Sequence, residues 1–262
     1  MNPITWSNDD HPPVIPCLDI DHSKASTAAT CPQGNTSNDP IQILDLYRDE
    51  GADKIFLDIQ NSWEDSATIL PLVHRLSTGG GSLLVSVANG SARDDHDIDA
   101  LLEAGAAAVS LSTTTVQAPE LVARAVSRHG GERILAVANT LRNADRWEVY
   151  IRGGKTPTGI DLLTWTRRVC DLGVGAVLPN SLAREGDTTG GYDLPLTDAV
   201  TQRACVPVIA SGGCGSPEDM VEVLSRTAAS YALAHTIFHR GHYSVGEAIT
   251  ACARIGEDVR SA

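Results

Sequence analysis

Read for its alternation of apolar and polar positions, the chain repeats one unit: a short β-branched run, then an amphipathic stretch with helical period, about every 25–35 residues. Eight strands are predicted, at Val14–Ile20, Lys54–Gln60, Ser82–Ala88, Ala107–Ser112, Arg133–Asn139, Gly175–Ser181, Val206–Ser211 and Ser230–Ala234. Between and after them the helical pattern covers Ile41–Gly51, Ser66–Leu76, Asp97–Ala104, Glu120–His129, Leu162–Leu172, Leu194–Ala204, Pro217–Arg226 and Val245–Ile255. The strands are continuously apolar, so both of their faces are covered, which is the condition of a parallel sheet with helices outside. Eight consecutive units favour closure over an open sheet, and the expectation is an α/β protein built as a single (β/α)8 TIM barrel over residues 13–258, behind a flexible N-terminal tail at residues 1–12.

The longest irregular stretches, His22–Asp39 and Thr140–Gly159, follow the first and fifth strands and so lie at the C-terminal ends, where such barrels build their sites. In the second, Trp147 to Ile151 followed by Arg152-Gly153-Gly154-Lys155 is compatible with a small hairpin cover.

Composition narrows the chemistry. With 262 residues, 42% of them apolar, and no linker-like stretch, the chain reads as one domain with a large core. A formal net charge of -13 argues against a general nucleic-acid surface. No basic leader and no apolar run near the ~20 residues of a spanning helix is present, so a cytoplasmic protein without a membrane partner is expected. Six cysteines at irregular separations suggest neither a zinc site nor a disulfide framework, and the histidines form no ligand spacing. No metal and no nicotinamide or flavin cofactor is expected, because the glycine loop follows the seventh strand rather than opening an N-terminal βαβ unit.

That loop, Ser211-Gly212-Gly213-Cys214-Gly215, runs into a helix opening Ser216-Pro217. Its glycines let backbone N–H groups approach an anion, and Ala234, His235 and Thr236 at the end of the eighth strand supply neighbouring ones. Together they predict a phosphate site. Asp19 and Asp58 close the first and second strands at the barrel mouth. Each fits proton transfer in an apolar funnel, or a buried carboxylate satisfied by loop amides. Asn139, across the barrel from Asp19, can orient a substrate but cannot exchange a proton near neutral pH. Asn180, Ser181, Ser112 and Thr113 are candidates for lining the cup. His235 fits a phosphate partner, a titrating acid or a structural role. Cys214 at a helix N-terminus favours a lowered pKa, but no base accompanies it and no covalent thiol mechanism is expected.

The segments IPCLDI, Asp39-Pro40, FLDI, VSLST, TPTGIDLLTW, Arg184 to Asp193, PVIASGGCG and ALAHTIFH resemble, from about Pro13 to Gly256, the cyclase subunit of imidazole glycerol phosphate synthase. The resemblance implies a (β/α)8 barrel that binds a ribosyl-ketose bisphosphate, takes ammonia from a glutaminase partner at the far end, and closes and cleaves to an imidazole product. It implies phosphate contacts at Gly212, Gly213, Ala234, His235 and Thr236, and a second set near Ser112 and Thr113. Of the family's two catalytic aspartates one is Asp19, while the other position holds Asn139. Lys24 and Thr27 are nearest to the lysine of the first loop. The triple-glycine turn after the third strand reads Ser86-Val87-Ala88-Asn89-Gly90, which predicts loss of close backbone approach there. The charged ring at the ammonia entrance aligns with Pro13, Lys54, Ala108 and Ala176.

These departures point to a diverged paralogue acting on a phosphorylated sugar- or nucleotide-derived metabolite without channelled ammonia, with Asp19 as acid or base. The alternatives are an authentic cyclase subunit, an aminoaldose-phosphate isomerase with its second acid among Asp58, Asp145 and Glu185, and a non-catalytic barrel that binds a phosphometabolite.

Overall fold

The computed structural model describes residues 4–6, 11–30 and 36–260, and of 255–260 only the helical backbone. Cys31, part of the first loop and most of the predicted tail lie outside the described residues. The eight strands of the repeating unit are β1 (Val14–Asp21), β2 (Lys54–Ile59), β3 (Ser82–Val87), β4 (Ala108–Leu111), β5 (Ile134–Asn143), β6 (Ala176–Ser181), β7 (Ile209–Ala210) and β8 (Tyr231–Ala234). The helices that follow them are α1 (Pro40–Asp49), α2 (Ser66–Ser77), α3 (Asp95–Ala104), α4 (Pro119–His129), α5 (Leu162–Asp171), α6 (Leu194–Thr201), α7 (Pro217–Arg226) and α8 (Val245–Arg260). This is an α/β fold with a curled, mostly parallel sheet of the TIM-barrel type.

Neighbouring strands pair parallel from β1 through β5 and on to β6. β7 pairs with β8 and β8 with β1, and single bridges Val177–Val208 and Asn180–Ser211 connect β6 to the β7 segment. β7 is shorter than the predicted Val206–Ser211 because Pro207 has no N–H to give a ladder and Gly212 turns the chain away at φ +92°. β5 is longer than predicted: it runs on into an antiparallel hairpin with Arg146–Ile151 and Thr156–Asp161, the anticipated cover.

Side chains alternate along each strand. In β1, Val14, Leu18 and Ile20 join the large apolar layer between sheet and helices, whereas Ile15 and Cys17 join a second cluster with Phe56, Leu84, Leu135, Leu178, Ile209, Tyr231 and Leu233. Asp19 has the parity of Ile15 and Cys17, so the same alternation that fills the inner cluster carries its carboxylate to the C-terminal mouth.

Within the stretch read as a tail, Ile4 is buried in the inner cluster, and Trp6 packs against it. The Trp6 indole N–H donates to the Glu132 carbonyl at 2.9 Å, and its ring meets Tyr231 edge-on at 6.0 Å. Beside them Lys54, 2% exposed, is paired with Asp53 at 2.9 Å and lies 5.2 Å above the Tyr231 ring. An apolar pair in a polar stretch is thus spent on covering the N-terminal end of the inner cluster.

Helix starts follow the local chemistry. Asp39 caps α1 through Ile41 N–H, with Pro40 in the first turn, and Ser216 and Asp219 form a reciprocal capping box ahead of α7. The box fixes where the chain leaves the Gly212–Gly215 loop. Among the described residues no helix is long and apolar enough to cross a membrane.

Candidate active site

A cavity of about 640 Å3 opens at the C-terminal ends of the strands. Of the predicted residues, Asp19, Asp58, Ser112, Asn139, Asn180, Gly212, Gly213, Ala234, His235 and Thr236 line it. Thr113 and Ser181 do not. The Ser181 hydroxyl faces Asp193 at 3.4 Å; Thr113 accepts from Arg152 N–H at 3.0 Å and donates to the Asn89 carbonyl at 3.2 Å, which ties the hairpin to the turn after β3. Lys24 is exposed and the Thr27 carbonyl serves His239, so neither reaches the cavity wall. Asp145 sits exposed on the hairpin turn, leaving Asp58 and Glu185 as the lining carboxylates beside Asp19, with Asp187 at the rim loop.

Register explains the grouping. Asp19 lies opposite Asp58 between β1 and β2, Asp58 opposite Ser86 between β2 and β3, and Asn139 opposite Asn180 between β5 and β6. The wall therefore has an acidic half and an amide half. On the amide half Asn180 Nδ2 donates to Asn139 Oδ1 at 2.9 Å, and Ser211 Oγ donates to Asn180 Oδ1 at 3.0 Å. This chain of bonds holds Asn139 in place with its own amide N–H groups left to serve a ligand.

On the acidic half the Cys17 thiol donates to Asp19 Oδ1 at 3.6 Å. Burial, and then the neighbouring Asp19 and Asp58 charges, push Cys17 well above the usual thiol range, so it stays protonated. Asp58 is pushed up to about 6, first by burial and then by the Asp19 charge, against a Ser86 hydrogen bond that favours its ionised form. Glu185 is raised too, by burial ahead of the Asp19 charge, although Asn180 donates to it. Cys214 departs from expectation: burial pushes it up to about 12, which outweighs any help from the helix N-terminus, and the thiol is inert at neutral pH.

His235 stands beside Asp19, Nδ1 to Oδ2 3.8 Å, and its Nε2 is buried without a partner. The ring stacks at 4.6 Å on His239, whose Nε2 donates to the Thr27 carbonyl at 2.6 Å. Burial, then the neighbouring His235, lowers the His239 pKa, which favours the neutral ring beside His235. Ser110 Oγ on the cavity wall is likewise buried and unpartnered. Such atoms mark where a ligand or water supplies the missing bond.

Gly212 and Gly213 adopt φ +92° and +102°, and a Cβ on Gly213 would lie 2.2 Å from the Gly191 carbonyl oxygen. No other residue fits, and the loop follows the cavity wall closely enough to present backbone to a ligand. Opposite, the turn after β3 keeps its left-handed course through Ala88, Asn89 and Gly90, at φ +50°, +59° and +63°. Asn tolerates this region, and Ser112 N–H closes the turn on the Gly90 carbonyl at 2.9 Å. Asn89, Gly153 and Lys155 complete this side of the cavity.

Sequence reasoning missed Ser110, Asn89 and Lys155. Ser110 was readable, since it shares the parity of Ser112 two residues on. Lys155 carried no signal because its position depends on how the hairpin folds back.

The raised Asp58 gives a pH test of this electrostatic picture. A carboxyl whose folded pKa lies above its unfolded value binds more protons folded than unfolded between about 4 and 6, so stability falls as pH rises through that window. Asp58→Asn is expected to stabilise the protein above pH 6 by on the order of 2 kcal/mol, the gain vanishing below pH 4. Chemical denaturation at pH 4 and pH 7.5 measures it; equal effects at both pH values would contradict the assignment.

Comparison with known proteins bears on the family. A family model described as histidine biosynthesis protein matches residues 13–244. The imidazole glycerol phosphate synthase subunit HisF of Bacillus cereus is 37% identical over 236 residues, covering 89% of this chain and 92% of that one. By both matches the chain belongs to the histidine biosynthesis protein family, in the branch of the cyclase subunit HisF.

Proposed function

We propose that the chain is a complete (β/α)8 barrel and a cyclase- or lyase-type enzyme of the cytoplasm. It holds a phosphorylated sugar- or nucleotide-derived metabolite between the Gly212–Gly213 loop and Asp19, as a diverged paralogue without channelled ammonia. The observation that carries the reading is the pairing of Asp19 with His235 next to that loop, facing an amide half of the wall at Asn139 that cannot exchange protons.

In this arrangement the phosphate is bound by the backbone of Gly212, Gly213, Ala234, His235 and Thr236, while Asn139, Asn180 and Ser110 orient hydroxyl or carbonyl groups. Asp19 takes a proton from the bound metabolite and the His235 imidazole stabilises or returns it, so one wall supplies both halves of the acid–base cycle. At the other end of the barrel Ile4 and Trp6 cover the inner cluster, Lys54 is neutralised by Asp53, and Ala108 and Ala176 carry no charge. These features support a barrel that receives nothing axially from a glutaminase.

The 37% identity to the Bacillus cereus HisF subunit favours a second reading, an authentic cyclase subunit. Purified protein is to be assayed with the ribosyl-ketose bisphosphate and ammonium salts, with the same substrate plus glutamine and a glutaminase subunit, and with singly phosphorylated sugars and aminoaldose phosphates. Our reading expects no glutamine-dependent rate and no stable complex with the glutaminase, with turnover confined to the substrates that need no channel. Glutamine-driven turnover in a complex would establish the authentic cyclase instead. Conversion of an aminoaldose phosphate to its aminoketose would identify the isomerase, and binding without turnover a non-catalytic barrel.

A further inference from the structure

On the face opposite the cavity two cysteines meet. Cys170 is the penultimate residue of α5, just before the turn into β6, and Cys205 lies in the bend between α6 and β7; both are therefore at the N-terminal ends of the strands. The Cys205 backbone N–H donates to Cys170 Sγ at 3.3 Å across 35 residues of sequence, and the Cys205 thiol is near enough to add to the rise in the Cys170 pKa. Cys205 is exposed and Cys170 half-buried, whereas Cys17, Cys214 and Cys252 are buried. A composition with six irregularly spaced cysteines gave no hint of this pair, because the contact is made by the return of two successive helices to adjacent strands.

We propose that Cys170 and Cys205 are a redox-modification site that closes to a reversible intramolecular disulfide in the presence of a peroxide. Hydrogen peroxide oxidises the exposed Cys205 thiol to a sulfenic acid and releases one water. The Cys170 sulfur then attacks the Cys205 sulfur, the S–O bond breaks, and the hydroxyl leaves as a second water with the Cys170 proton. The two thiols give up two electrons and the peroxide takes up both.

Three features favour closure of this pair. The Cys205 backbone already lies against the Cys170 sulfur, and Cys205 sits in a bend outside helix and strand, so the approach of the two sulfurs to about 2 Å falls on the most adjustable backbone nearby. The amide N–H that Cys205 points at Cys170 Sγ stabilises the sulfur as it loses its proton. Burial ahead of all else pushes Cys170 up to about 11, so Cys170 does not itself meet oxidant as a thiolate and serves as the resolving partner. The bond would tie together the two ends of the segment that carries Asn180, Glu185 and Asp187 of the cavity wall without entering the cavity.

The test uses the full chain, reduced and then treated with hydrogen peroxide at neutral pH, alkylated and digested for mass analysis. Peptides containing Cys170 and Cys205 are expected to be joined with the loss of two hydrogens, reversibly with dithiothreitol. The melting temperature is expected to rise by roughly 5–10 °C on oxidation, because the bond restrains the unfolded chain. Cys170→Ser and Cys205→Ser should each abolish both the link and the rise, and Cys31→Ser should leave both. The proposal is overturned if Cys205 accumulates as sulfinic or sulfonic acid while Cys170 remains alkylatable, if both thiols remain alkylatable after peroxide, or if the rise in melting temperature persists in Cys205→Ser.

Discussion

Asp19→Asn is expected to lower kcat by about 10²–10⁴-fold while changing KM little, the usual contribution of a positioned acid or base. The substitution is nearly isosteric, and its neighbours are prepared for it. Cys17 can still donate to the remaining side-chain oxygen, and His235 keeps its stack on His239, so the fold and the anion loop stay as they are. What disappears is the proton acceptor. Asp58 does not replace it, since that carboxyl stands on β2, one strand further from the His235 that partners Asp19, nor can Asn139, which has no proton to exchange. Steady-state kinetics on whichever substrate the wild type turns over measures the effect. Undiminished kcat in Asp19→Asn would show that the proton moves elsewhere.

The second large effect falls on the anion loop. In Gly213→Ala the new Cβ would lie 2.2 Å from the Gly191 carbonyl oxygen and 3.0 Å from Arg184 Cβ, at a φ of +102° that L-residues avoid. Neither neighbour is a flexible side-chain end that can swing aside. The loop must therefore shift by more than the tolerance of a hydrogen bond to phosphate. We expect a loss of about 2–4 kcal/mol in stability, from backbone strain and the forced displacement together. We also expect phosphate-ester affinity to fall at least tenfold, the equivalent of about 1.4 kcal/mol. Denaturant unfolding and calorimetric titration with a sugar phosphate read the two separately. A variant as stable as wild type and binding equally well would mean that the loop is a packing turn and nothing more.

Much of the fold was legible because its signal is local. Continuous apolar strands such as Ile55–Leu57 and Leu83–Val85 can exist only with both faces covered, and the Ser216-Pro217 and Asp39-Pro40 openings locate helix starts by capping chemistry alone. The strand-end residues of the site followed from the same alternation, which places Asp19, Asp58, Asn139 and Asn180 on one layer. Ser181 failed by that very rule: it follows Asn180 on a strand, so it must face the helices, where it meets Asp193. What was not legible depends on contacts distant in sequence. Lys155 reaches the cavity only because a hairpin folds over it. Ile4 and Trp6 find the inner cluster from a polar stretch too short to show a period. The pKa of Cys214 was misjudged because local sequence shows a helix N-terminus but not how deeply the thiol is buried.

The most direct test of the account is a diffraction map of the protein soaked with ribulose 5-phosphate. The phosphate is expected against the backbone of Gly212, Gly213 and Ala234 to Thr236, with the sugar directed between Asp19 and Asn139. A phosphate seated elsewhere, or a sugar turned away from Asp19, would contradict it.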